Sequence, residues 1–224
     1  MDLSIRDVAK ALDVSERTVF RWIEEDDLPA VHVNEQFHVN RAELLEWATM
    51  HRKSLSPKMF EPESWNSDVP PSLADAIQVG SVHYDVPAID APGALRELVR
   101  RMPIEESERD MVWELMVRRE SIRSTGIGGG IGLPHPRRPV VCHLSEPAIT
   151  VCFFRQPIDF QAPDGQPVHT LFGLLSPTQK IHLQLLARLA WALTRPGFRG
   201  AIDRRAPREE IVAEARKLRE TQHN

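Results

Sequence analysis

The sequence predicts an α/β fold, a mixed β-sheet flanked by helices, preceded by a small domain of short helices and one hairpin. Three observations carry this. Beyond residue 71, short strand candidates that are apolar on both faces alternate with helical stretches, as in a sheet covered by helices. Their order (helix, helix, several strands, helix, helix) argues for a mixed sheet rather than a doubly wound parallel one. Before residue 51 the apolar periodicity is that of short helices, and residues 51–71 interrupt it with Pro57, Pro62, Pro70 and Pro71. The expected organisation is therefore a first domain over 1–50, a linker over 51–71 and a second domain over 72–224.

Ser4 can cap a helix whose apolar face is Ile5, Val8, Ala9 and Leu12, and Ser15 a second with Val19, Trp22 and Ile23 inward. Joined through Asp13-Val14, the pair has a helix-turn-helix signature. Two short alternating segments between Leu28 and Val39 flank Asn34-Glu35-Gln36, which reads as a small hairpin or wing. Asn40 with Glu43 makes a capping box for a third helix carrying Leu44, Leu45 and Trp47. The run from Ser4 to Ile23 and the closing Arg41-Ala42-Glu43-Leu44-Leu45-Glu46-Trp47 resemble the excisionase or MerR-like winged helix-turn-helix family. That resemblance implies that Glu16, Arg17, Thr18 and Arg21 face the major groove of double-stranded DNA. Charge opposes it: residues 1–53 hold seven Lys/Arg against eleven Asp/Glu. Phosphate neutralisation dominates DNA affinity, so Lys10, Arg17 and Arg21 would have to supply it locally. Protein docking and dimerisation are the alternative uses of this module, and a homodimer would double weak DNA contacts.

Composition bounds the rest. The formal net charge of −4 gives no global support for an anionic partner. Cys142 and Cys152 fall in strand candidates and read as small buried hydrophobes in a reducing compartment. No apolar run reaches the roughly 18 residues of a membrane span, and no targeting segment is evident. The expectation is a cytoplasmic protein without membrane insertion. In the second domain the helix candidates are Pro92–Met102, Glu105–Arg119, Thr178–Thr194 and Arg208–Thr221. The strand candidates are Ile131–Leu133, Val140–His143, Ile149–Phe154 and Val168–Leu175.

The stretch from Ser124-Thr125-Gly126 to Leu133-Pro134-His135 is crowded with glycine, which is costly in backbone entropy and needs a reason. It lacks the Gly-Lys-Ser/Thr of a phosphate-binding P-loop, and it follows a helix and precedes a strand, the reverse of a dinucleotide loop. A glycine-dense turn can still present amides as an anion nest. Ser124, Thr125, Gly126 and Gly128 are the candidate phosphate ligands. Pro134 and Pro136 fix the backbone around His135. No serine nucleophile elbow, Cys/His pair or H-E-x-x-H motif stands nearby, so neither metal nor cofactor is expected. An anion nest beside a rigid imidazole suits a phosphoryl acceptor. His32, His38, His83, His143 and His169 read as surface or satisfied strand histidines, and Asp159 and Asp164 as turn-setting residues.

The run Arg118-Arg119-Glu120 to His135 is similar to the fructose/mannitol-type and nitrogen-regulatory IIA domains of the bacterial phosphoenolpyruvate-dependent phosphotransferase system. Glu146-Pro147-Ala148-Ile149, Pro157-Ile158-Asp159-Phe160, Asp164-Gly165-Gln166-Pro167-Val168 and His182-Leu183-Gln184-Leu185-Leu186 follow in family order. The resemblance implies a mixed sheet with helices and a phosphorylated His135 charged by a phosphorylated histidine carrier protein. It also implies His182 as second active-site histidine and Arg119 as the cation that offsets phosphate charge. Gly132, where the family often has alanine, is a mild departure. The downstream acceptor would be a IIB domain or a regulatory protein. Fused to a reader module, such a domain is expected to be a phosphorylation-sensing regulator. A sugar-transport phosphocarrier with a docking module and a DNA-binding protein with an inactive IIA-like scaffold are the alternatives.

Overall fold

The computed structural model describes residues 2–26, 28–33, 36–40, 44, 47–48, 72–122, 124–136, 144 and 146–220. The expected linker 51–71, the strand Val140–His143 with Cys142, and Glu43 and Leu45 of the third helix lie outside them. The chain divides into two compact units, Met1–Trp65 and Asn66–Asn224.

In the first unit, strand β1 (Asp2–Ser4) leads into helix α1 (Ile5–Ala11), and helix α2 (Glu16–Glu25) follows. Both caps are as expected: Ser4 accepts the Asp7 amide in a capping box, and Ser15 accepts the Thr18 amide. Strands β2 (Val31–Val33) and β3 (Gln36–Asn40) form the wing, and β1 adds antiparallel to β3, giving the order β1-β3-β2. Val8, Val19, Trp22, Leu28, Val39, Leu44 and Trp47 close one apolar core. The Trp47 indole donates to the Asp26 carbonyl at 2.8 Å, pinning the end of α2.

The second unit is a five-stranded mixed sheet between two helical layers. Its elements are α3 (Leu73–Gly80), β4 (Val82–Val86), α4 (Ala91–Arg101), α5 (Glu106–Ile122), β5 (Gly126–Gly128), β6 (Ile131–Gly132), β7 (Ala148–Ile158), β8 (Val168–Leu175), α6 (Gln179–Ala192), α7 (Pro196–Asp203) and α8 (Arg208–Glu220). The strand order is β4-β7-β8-β6-β5. Neighbours β4/β7 and β6/β8 are parallel, and β7/β8 and β5/β6 antiparallel. Alternation along the strands sorts the core. Ile149, Val151, Phe153, Phe172 and Leu174 face α3, α6, α7 and α8, whereas Cys152, Phe154, Leu171 and Leu175 face α4 and α5.

The predicted helices and the Ile131, Ile149 and Val168 strands are present. Four elements of this unit were not anticipated: α3, β4, β5 and α7. The strand starting near Ile149 is also longer than its apolar stretch, because β7 continues through Arg155, Gln156 and Pro157 to Ile158. Among the described residues no helix is long and apolar enough to cross a membrane.

Candidate functional site

His135 and His182 come together at the carboxyl ends of two parallel neighbours. Beyond β6 the pairing with β8 continues, because the Leu174 amide donates to the Pro134 carbonyl at 3.2 Å. His135 therefore leaves the sheet level with the last turn of β8, on the side covered by α6. Thr178 caps α6 by accepting the Ile181 amide, and the His182 amide donates to the Thr178 carbonyl, so His182 stands in the first turn. The two rings lie 5.1 Å apart between centroids at 50°, each only 4% exposed. The ends of parallel strands, where a helix begins, are where open α/β sheets offer room for a ligand. A cleft of about 680 Å³ borders this turn, lined in part by Asp75, Glu146, Thr178, Lys180, Ile181 and Gln184.

The tautomer of His135 follows from its partner. Its Nδ1 is 2.7 Å from the Leu133 carbonyl oxygen. A carbonyl can only accept, so Nδ1 carries the hydrogen, and in the neutral ring the lone pair is on Nε2. Arg119, in the last turn of α5, is 3% exposed. Its neighbour Glu120 turns toward the strand: both carboxylate oxygens lie 3.0 Å from the Thr125 amide nitrogen, and one also takes the Thr125 hydroxyl. Burial pushes the Glu120 carboxyl up, opposed by the hydrogen bonds from Thr125 and Ser124 and by the Arg119 charge.

The glycine-rich stretch does something other than expected. It is a β-hairpin, with Gly128, Gly129 and Gly130 all at positive φ in the turn between β5 and β6. The turn lies at the end of the hairpin away from His135. The amides assigned to phosphate are engaged elsewhere. Thr125 gives its amide and hydroxyl to Glu120, and the Gly126 amide donates to the Ser124 hydroxyl oxygen at 3.0 Å. The amide next to Gly128, on Gly129, donates to the Asp164 carboxylate at 2.7 Å, and Arg199 holds the Gly129 carbonyl at 2.8 Å. Of Ser124, Thr125, Gly126 and Gly128, expected to bind phosphate, Thr125 and Gly126 thus spend their amides within the fold, in the support on which His135 stands. Asp159 and Asp164 do set turns, accepting the amides of Gln161 and Gln166. Glu120 was overlooked, although a carboxylate four and five residues before Ser124-Thr125 at a helix end was a visible signal.

In the first unit, Glu16, Arg17 and Arg21 are exposed on one face of α2, together with Phe20 and Glu24. Thr18 is half-buried, and its hydroxyl lies 2.8 Å from that of Ser15 in the helix cap. Arg21 makes an exposed pair with Glu25 at 3.9 Å.

Comparisons with known proteins bear on both units. Residues 76–216 match the family model described as phosphoenolpyruvate-dependent sugar phosphotransferase system, EIIA 2, and residues 3–52 match a helix-turn-helix domain. A nitrogen regulatory protein from Pseudomonas aeruginosa is 38% identical over 120 residues, covering 51% of this chain and 72% of the relative. The fructose-specific EIIA component from Haloferax volcanii is 34% identical over 94 residues, covering 41% of this chain and 59% of the relative. The nitrogen regulatory protein IIA-Ntr from Neisseria meningitidis shares the fold, at a TM-score of 0.54 and 24% identity over 64% of this chain and 98% of that one.

Proposed function

The chain belongs to the phosphoenolpyruvate-dependent sugar phosphotransferase system EIIA 2 family, and from that premise we propose that it is a regulatory phosphohistidine carrier whose acceptor is His135. The observation that carries this reading is the Nδ1–H bond to the Leu133 carbonyl, which leaves the lone pair on Nε2 of a buried ring beside a second imidazole. The Nε2 lone pair attacks the phosphorus of the donor's phosphohistidine. The new N–P bond forms as the donor's N–P bond breaks and its electron pair returns to the donor imidazole. No proton need move, because the Leu133 carbonyl keeps hold of Nδ1–H while the ring takes on positive charge. His182 then supplies a ring N–H to a phosphoryl oxygen, and Arg119 offsets the charge spread over the transferring group.

The nitrogen regulatory relatives and the helix-turn-helix domain support a regulatory output, with DNA as the ligand of α2 and its wing. Phosphorylation places an anionic phosphoryl group with strong acceptor oxygens on the ring and so changes the charge of this face. The donor is a phosphorylated histidine carrier protein. The full chain is incubated with phosphoenolpyruvate, enzyme I and that carrier, and acid-labile phosphate is measured. Wild type takes up label and His135→Ala takes up none. His182→Ala and Arg119→Ala are slowed about a hundredfold. A wild-type protein that remains unlabelled sinks the reading.

A further inference from the structure

We propose that Glu120 is the positioning residue that holds His135 with Nδ1–H turned to the Leu133 carbonyl and Nε2 presented for reaction. This rests on the reading of His135 as acceptor and adds a residue outside the two imidazoles and Arg119. The connection is a continuous run of short contacts. Glu120 grips the Thr125 amide through both oxygens at 3.0 Å and also takes the Thr125 hydroxyl. The Thr125 carbonyl then receives the Leu133 amide at 3.0 Å. Leu133 in turn offers its own carbonyl to His135 Nδ1 at 2.7 Å. Thr125 is 2% exposed and Leu133 4%, so the Thr125–Leu133 link is shielded from water, while Glu120 at its start is half-buried.

Chemistry explains why the anchor is a carboxylate. Ser124 and Thr125 aim an amide and two hydroxyls at one point. A carboxylate has acceptor sites for all three and nothing to donate. A glutamine amide has one accepting oxygen, and its NH₂ would face a donor. Burying a carboxylate among three donors is stabilising only while every donor is satisfied. The same carboxylate ties the end of α5, which carries Arg119, to the first residues of the hairpin that carries His135. One side chain thereby sets the relative placement of the cation and the imidazole.

The ring and the reaction are read separately. Imidazole ¹⁵N spectra of wild type, Glu120→Gln, Thr125→Val and Thr125→Ser report the tautomer of His135, whose signal is assigned by its loss in His135→Ala. Wild type and Thr125→Ser hold the Nδ1–H form, whereas Glu120→Gln and Thr125→Val show mixed tautomers. Phosphoryl uptake in Glu120→Gln has a kcat about ten- to a hundredfold lower, with KM for the carrier changed less than about twofold, as a misplaced nucleophile requires. The Glu120→Gln/Thr125→Val double variant loses no more than Glu120→Gln alone, since both cut one network. A folded Glu120→Gln with wild-type tautomer and kcat overturns the proposal. Should Glu120→Gln fail to fold, a Thr125→Val protein with an unchanged ring does the same. If wild type accepts no phosphate, the reading of His135 as acceptor fails, and the tautomer comparison still decides the placement by Glu120.

Discussion

Glu120 occupies its place against the preference of a carboxylate for water, and this has a consequence for stability. Burial raises its affinity for a proton in the folded state. A raised folded value means that the group's stabilising contribution is complete below the ordinary carboxylate range and is lost as pH rises through the raised value. At neutral pH the ionised group is therefore held at a cost, offset by the Thr125 and Ser124 donors. Urea unfolding at about pH 7 and about pH 5 should show wild type gaining stability relative to Glu120→Gln as pH falls. Equal gains in the two proteins would contradict the burial argument. Cys152 illustrates the opposite case of a group that burial silences. Its thiol is pushed up to about 12 between β4 and β8, so thiolate is scarce at any working pH. In a Cys142→Ala background a disulfide reagent should leave Cys152 unmodified until denaturant is added; labelling of the native protein would show that the strand opens.

At the scale of elements, the turn of the β5–β6 hairpin is tightly constrained. Gly130 has φ +74°, and a Cβ there would come within 2.3 Å of the His169 ring. Gly165 has φ +69° but open space around it. Gly165→Ala should therefore cost about 1 kcal/mol, the penalty of left-handed backbone alone, while Gly130→Ala should cost about 2 kcal/mol or more because the ring must also move. Equal losses in thermal or urea unfolding would mean that His169 yields freely. This hairpin also shows where reading the sequence succeeds and stops. Ser4 and Ser15 were legible as caps because capping is decided within four residues, and the core of β8 was legible because a short run apolar on both faces is a local signal. His135 and His182 were legible as a pair only through family order, since 47 residues of chain separate them. The acceptors of the turn's amides were not legible, because donors are visible in sequence but their takers are not: Asp164 reaches Gly129 across 35 residues. Similarly, α7 begins at Pro196-Gly197, which reads as a breaker although proline suits the first helical position. The short α3 and β4 offered too few residues for a period to emerge.

For the whole molecule, the unresolved tension is a helix-turn-helix domain in a chain of net charge −4. Its first unit cannot attract DNA by total charge, so the placement of single cations must carry any binding. Arg17 and Arg21 are exposed on α2, and Lys10 is exposed on α1. The Arg21–Glu25 pair is more than half exposed on both sides, so it competes weakly with a phosphate. Glu24 lies on the same face as Arg21 and limits the surface on which phosphate is welcome. If Lys10, Arg17 and Arg21 are the cations that meet phosphate, log K against log[salt] falls at a slope of about −3 for one module. Two modules on two half-sites would bring it to about −6. Removing Arg17 and Arg21 together should flatten the slope by about 2 for each module engaged. The measurement is retention of genomic fragments by the full chain over a salt series, run on wild type and on Arg17→Ala/Arg21→Ala. A wild-type slope near zero, or one unmoved by the double substitution, would mean that α2 does not meet a phosphate backbone. The regulatory output of His135 would then have to pass through a protein bound to this unit.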